Sequence, residues 1–279
     1  MTFRRSDRVA GIELSEIVQI TERAAALKAM GRDVVALSTG EPDFPTPPHV
    51  IEAAHQAALA GKTRYTATAG TADLRAAIAA DAGWGSVIVS TGAKQVIANA
   101  MLATLNPGDQ VVIPAPYWTS YSDIVSLAGG VPVVVACGAD QGFKLSPEAL
   151  EAALTPQTRW LMLNSPNNPC GAIYSREEFA ALGAVLERHP RVLVISDEIY
   201  EHIVLGRQPF VSFVSACPHL RERTLLINGV SVGQSVAEDD KLSFGSDVAG
   251  SAIAKAAAIN KVSPLQARTH AAYKGGRSY

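Results

Sequence analysis

The sequence predicts an α/β fold, a three-layer α/β/α domain built on a mainly parallel sheet. Three observations predict it. Short runs rich in β-branched residues recur at 87–91, 110–113, 131–136, 159–164, 192–196 and 224–227. Stretches of helical period separate several of them, at 73–82, 95–105, 147–154 and 176–188. The strands are continuously apolar, the pattern of strands covered on both faces. In such sheets ligands occupy the crevice beyond the strands' carboxyl ends, and in this chain the chemistry-bearing residues fall just after strands.

Ahead of the first strand, Ser15 is placed to cap a helix reaching about Met30, with Ile17, Ile20, Ala24 and Leu27 on one face and Gly31 as its stop. From Val232 onward the strand-helix alternation fades. Residues 248–259 read as one alanine-rich helix, and 263–279 have no clear period. The expected organisation is an N-terminal arm and helix over 1–37, a large ligand-binding domain over 38–231, and a divergent tail over 232–279 outside the compact core.

Composition narrows the function. The 279 residues are 48% hydrophobic and 18% charged, which supplies a sizeable core. A net charge of -2 and a pI near 6.3 give no basic footprint for nucleic acid. The three cysteines, Cys137, Cys170 and Cys217, are far apart with no CxxC pair, so neither a disulfide framework nor a metal site is expected. No apolar run reaches the roughly 18 residues of a membrane helix, and the polar, basic Met1 to Arg8 has no apolar stretch behind it. A cytoplasmic protein is expected.

Several segments carry candidate chemistry. Asp197, in Ser196-Asp197-Glu198-Ile199-Tyr200, directly follows an apolar strand. A carboxylate there is costly unless a cation or several donors meet it; a protonated pyridine nitrogen is such a cation, and an N-capping Asp beside a packed Tyr200 is the plainer alternative. Asn164-Ser165-Pro166-Asn167-Asn168-Pro169-Cys170-Gly171 forms an elaborate turn with a candidate cis bond before Pro169. Gly92, Ala93 and Lys94 join a strand to a helix start, where backbone N–H groups can face a phosphate; many α/β turns look alike here. Trp118 ends another strand and can stack on a flat ring or belong to the core. Gly40 permits a close approach to its amide, and Tyr65 offers a loop hydroxyl. Neither a P-loop nor a GxGxxG pattern occurs.

In order, GEPDFPTP, YTATAG, STGAKQ, PAPYW, NSPNNPCGAIY, SDEIYEHIV and LLINGVS resemble the class I, fold-type I, pyridoxal-phosphate aminotransferases, and within them the bacterial aspartate aminotransferases. The resemblance covers residues 8–231. It implies pyridoxal 5'-phosphate as cofactor, an amino acid and 2-oxoglutarate or another 2-oxo acid as substrates, and a homodimer. It further implies that Asp197 pairs with the pyridine nitrogen, that Tyr200 and Asn168 hold the ring oxygen, and that Trp118 stacks on the ring. Gly92, Ala93 and Lys94 would surround the phosphate, and Tyr65 would reach the phosphate of a neighbouring subunit. Gly40, Trp118 and Asn168 would contact the substrate.

The chain also departs from that family. The Schiff-base lysine, at once nucleophile and proton-moving base, is expected after Asn228-Gly229-Val230-Ser231, where this chain has Val232. Lys241, Lys255 and Lys261 follow, none in the family's context, so no catalytic residue is assigned. The resemblance also implies a small C-terminal domain, which is expected to be largely missing from this sequence. A shifted reading frame beginning near Ser231, divergence or truncation would each account for this, although 256–261 still resembles an in-frame family stretch. Asp81 to Ser86 replaces a longer connection, and Cys170 stands where Thr is usual. The expected function is an aminotransferase by descent with impaired turnover, or a cofactor-binding remnant without catalysis, or an unstable fragment.

Overall fold

The computed structural model describes residues 4–10, 12, 16–36, 40, 46–82, 86–204, 206–229 and 258–261. The chain divides into two units, Met1–Pro45 and Thr46–Tyr279. The first holds α1 (Asp7–Ala10) and α2 (Glu16–Ala29). Gly31 ends α2 with a φ of +78°, a region open to a residue without a Cβ. The N–H groups of Gly31 and Arg32 return to the carbonyls of Lys28 and Leu27 at 2.9 and 3.2 Å. Of the apolar face expected on α2, Ala24 and Leu27 are half-buried, but Ile20 is 55% exposed. Helical period identifies a face, not what covers it. Ser15 and the side chain of Ile17 lie outside the described residues.

The second unit runs α3 (Pro48–Leu59), α4 (Ala72–Ala82), β1 (Val87–Ser90), α5 (Ala93–Thr104), β2 (Gln110–Ala115), α6 (Ser120–Leu127) and β3 (Val131–Ala136). It continues with α7 (Pro147–Ala153), β4 (Thr158–Asn164), α8 (Arg176–Glu187), β5 (Leu193–Asp197), α9 (Phe213–Ala216), β6 (Thr224–Gly229) and β7 (Ala258–Lys261). The strands and helices expected between 73 and 227 form to within two residues at each end. The sheet order is β1-β7-β6-β5-β4-β2-β3. From β6 through β5, β4 and β2 to β3 the pairing is parallel, whereas β7 is antiparallel to both β1 and β6.

β7 corrects one expectation. Residues 258–261 were assigned to a tail outside the core, with 258 and 259 ending an alanine-rich helix; they pair instead with Thr224–Gly229 and Val87–Ser90. Four residues are too few to display a strand period, and the alanines before them favour a helical reading. The remainder of 232–279 lies outside the described residues.

Alternate strand residues feed two cores, which makes the three layers. Val111, Ile113, Trp160, Met162, Leu193, Ile195, Leu225 and Ile227 face α5 and α6, meeting Val96, Ile97, Met101, Tyr121 and Val125. The residues between them, Val112, Leu161, Leu163 and Val194, face α7, α8 and α9, meeting Leu150, Phe179, Leu182, Leu186 and Phe213. A capping box starts α8: the Ser175 hydroxyl accepts from the Glu178 N–H at 3.2 Å, and the Glu178 carboxylate accepts from the Ser175 N–H at 2.7 Å. At the other end of α8 the Arg223 guanidinium donates to the carbonyls of Leu186, His189 and Val192, joining helix end, turn and sheet.

Phe179 is 1% exposed, stacked on Tyr174 at 4.9 Å and edge-on to Phe213 at 5.3 Å. Phe179→Ala leaves a cavity that this rigid sandwich cannot close. It is expected to cost about 3–5 kcal/mol, read as a lowered urea midpoint with unchanged slope; a loss under about 1 kcal/mol would contradict the packing.

Candidate functional site

Asp197 ends β5 with 3% exposure. Its Oδ2 accepts a 2.7 Å bond from the Tyr121 hydroxyl, and its Oδ1 accepts from the Ile199 N–H at 3.2 Å. Among the described residues no cation pairs with it. Burial pushes its carboxyl up to about 6, against the opposing pull of those two bonds. Burial, then the nearby carboxylate, raises Tyr121 well above the usual phenol range. Nothing local in the sequence marks Tyr121, whose partner lies 76 residues away.

The Asn/Pro turn follows β4 and packs against the ends of β5 and β2. The Asn164 amide donates to the Asp197 carbonyl at 3.0 Å, and its Oδ1 accepts the Asn168 N–H at 2.7 Å. That locks Asn168, whose Nδ2 donates to the Tyr200 hydroxyl at 3.1 Å. Asn167 donates to the Pro116 carbonyl at 3.3 Å and accepts from the Cys170 thiol at 2.9 Å. The bond before Pro169 is cis, as expected, and so are those before Pro116 and Pro166. Burial raises Tyr200, with the Asn168 bond opposing.

After β2, half-buried Trp118 meets Tyr121 edge-on, ring centroids 5.4 Å apart. The Lys94 Nζ lies 4.8 Å from the centre of the Trp118 ring. Gly92 begins α5 with a φ of +111°, and among the described residues no side chain caps the helix, which leaves the first N–H groups, at Ala93 and Lys94, without a side-chain partner there. Asp197, Tyr200, Asn168, Trp118 and Lys94 are thus linked by contacts through Tyr121 and Asn164. Tyr65 is fully exposed and has no hydrogen bond or ring contact to them among the described residues. Gly40 belongs to the first unit. Ser231 and Val232 lie outside the described residues.

A second buried carboxyl, Glu198, was not singled out from the sequence. It is 2% exposed, and its Oε1 accepts from the Ser196 hydroxyl at 2.9 Å, the Ser212 hydroxyl at 3.0 Å and the Phe213 N–H at 2.9 Å. Burial raises it to about 7 despite these donors. It serves the α9 side of the sheet, as Asp197 serves the α6 side.

The arrangement fits a planar, cationic, phosphorylated ring. Among the described residues it offers a buried carboxyl without a cation, an aromatic face, a polar Tyr–Asn pair and a helix start without a side-chain cap. This cluster sits at the strands' carboxyl ends of a mainly parallel sheet between two helical layers. The chain belongs to the class I and II aminotransferase family, whose pattern matches residues 32–234. That family uses pyridoxal phosphate. The aspartate aminotransferase of Rhizobium meliloti (strain 1021) is 50% identical over 82% of this chain, and the aspartate/prephenate aminotransferase of Cereibacter sphaeroides is 50% identical over 81%. The chain spans 58% of the length of each. Among solved structures, the Rhizobium meliloti aspartate aminotransferase superposes with a TM-score of 0.85 at 42% identity, covering 98% of this chain and 66% of that one. The Thermus thermophilus aspartate aminotransferase with maleate gives 0.83 at 34% identity, covering 98% and 68%.

The two buried carboxyls set a pH dependence. Both are raised in the fold, so the native state holds protons that the unfolded chain has released. Their contribution to stability is complete below the ordinary carboxylate range and is lost as pH rises toward about 6 for Asp197 and about 7 for Glu198. The loss is on the order of 3 kcal/mol per group. Urea midpoints of the cofactor-free protein should fall between pH 4.5 and 7.5 as these groups ionise, and Glu198→Gln should flatten the curve. A variant curve parallel to the wild type would show that Glu198 does not carry the effect.

Proposed function

We propose that this chain is the cofactor-binding part of an aspartate aminotransferase-like enzyme, retaining a pocket for pyridoxal phosphate while lacking normal turnover. The observation that carries the reading is Asp197, buried and, among the described residues, without a cation. When bound, the cofactor supplies an electron sink, which depends on a protonated ring nitrogen. Asp197 would hold that proton, and Tyr121 would hold Asp197. Tyr200 and Asn168 would hold the ring oxygen, and Trp118 would exclude water from one ring face. The N–H groups after Gly92, at Ala93 and Lys94, would bind the phosphate. Tyr65, fully exposed, would serve the site of a second copy, so a homodimer belongs to this reading. Gly40, Trp118 and Asn168 would contact an amino-acid or 2-oxo-acid substrate, with aspartate and prephenate suggested by the names of the relatives.

Impairment rests on Val232, which brings neither the nucleophile nor the base expected after Ser231. The same observation favours a second reading, a cofactor-holding protein without catalysis. The residues proposed above to hold the cofactor precede Ser231, so their loss is not implied by that of the lysine. A cytoplasmic location belongs to both readings. Its support is the composition and three free cysteines. No helix among the described residues is long and apolar enough to cross a membrane.

Two measurements test this. Removing the charge with Asp197→Asn should weaken cofactor retention in equilibrium dialysis on the order of 10–100-fold, the scale of a lost charge-assisted bond; unchanged retention would remove Asp197 from the pocket. Aspartate with 2-oxoglutarate should be turned over weakly or not at all, and transamination at an ordinary aminotransferase rate would refute impairment.

A further inference from the structure

We propose that Lys94 is the covalent attachment point for the cofactor's aldehyde in this chain, through its side-chain amine. This rests on the cofactor reading above and goes beyond it, since that reading uses only the backbone of Lys94. Three observations carry it.

The first is position. The Lys94 Nζ stands 4.8 Å from the centre of the Trp118 ring. Trp118 meets Tyr121, and Tyr121 bonds Asp197 at 2.7 Å. The amine therefore lies against the aromatic wall of the cluster that ends in the buried carboxyl.

The second is freedom. Among the described residues Lys94 has no ion pair, and its contact with the Trp118 ring is an attraction that a reaction can break at modest cost, about 0.5–1 kcal/mol at an exposed site. Lys144, by contrast, is tied to the Glu178 carboxylate.

The third is chemical geometry. In pyridoxal phosphate the aldehyde and the phosphate-bearing methylene sit on neighbouring ring carbons. Lys94 is the second residue of the uncapped helix α5. Cα–Cβ bonds in a helix lean toward its N-terminus, so the flexible four-carbon stem of Lys94 leaves from the same end of α5 that its N–H faces. One residue can thus serve both groups.

The step balances without an outside oxidant or reductant. The free amine adds to the aldehyde carbon and a C–N bond forms. The carbonyl oxygen takes both protons of the nitrogen and leaves as water, and a C=N bond remains.

The test uses the full chain with one equivalent of pyridoxal phosphate, borohydride reduction and peptide mass mapping, in parallel with Lys94→Arg. Arginine keeps the charge and the backbone amide but not the nucleophile. Equilibrium dialysis without borohydride measures retention separately. The expected result is cofactor retention with a single reduced adduct on Lys94 in the wild type, and at least a tenfold loss of adduct with weakened retention in Lys94→Arg. An adduct on another lysine, or one undiminished in Lys94→Arg, would overturn the proposal. Retention with no adduct would overturn it and leave the pocket standing, whereas no retention at all would overturn both.

Discussion

A carboxyl group placed at the end of a central strand, behind a wall of aromatic side chains, is costly to keep ionised without a cation. Asp197 is in that position, and much of the surrounding structure can be derived from it. Its two donors, Tyr121 and Ile199, favour the charged form, yet burial outweighs them and raises the group to about 6. A neutral donor can orient a carboxylate but cannot neutralise it. The group is thus poised for a ligand that brings its own proton, and a cation arriving there would reverse the direction of the shift.

Placing Asp197 requires both helical layers. Tyr121 comes from α6, which is held by the same core that packs α5 on the sheet. On the other face Glu198 draws Ser196, Ser212 and the Phe213 N–H to one oxygen, pinning α9 to the strand end. Consecutive acids therefore fasten opposite layers to one strand. The chain order adds the crevice: after β3 at the sheet edge the path returns to β4, on the other side of β2. The loops after β2 and β4 diverge at that reversal, where open α/β sheets bind ligands. Trp118 lies on one loop and Asn168 on the other, and the Asn167–Pro116 bond bridges them.

The parallel strands and their helices were legible because the strands read as continuous apolar runs, with β4, β5 and β6 buried on both faces and the edge strand β3 half-exposed. Asp197, Asn168 and Trp118 could be singled out because each breaks such a run just past its end. Tyr121 was not, because its role depends on a partner 76 residues away and its helix is short and serine-rich. Glu198 was overshadowed by its neighbour, since nothing local says that adjacent acids face opposite layers. β7 was hidden for a different reason. Its pairing partners lie in β1 and β6, and a four-residue strand derives its conformation from them rather than from its own composition.

β7 also separates two properties that the linear sequence makes appear linked. The proposed ring-holding residues Asp197, Tyr200, Asn168 and Trp118 lie around β2, β4 and β5, which pair directly with one another. The turn at Gly92 follows β1, and β1 joins the rest of the sheet through β7 alone. Helix α5 supplies a second tie, since Val96, Ile97 and Met101 share a core with Leu225 and Ile227 of β6. The proposed ring end of the pocket is therefore built from strands that precede Ser231. The proposed phosphate end depends in part on four residues beyond Val232. A change confined to the segment after Ser231 would loosen the grip on the phosphate before it disturbed Asp197, and the two ends of the pocket need not be lost together.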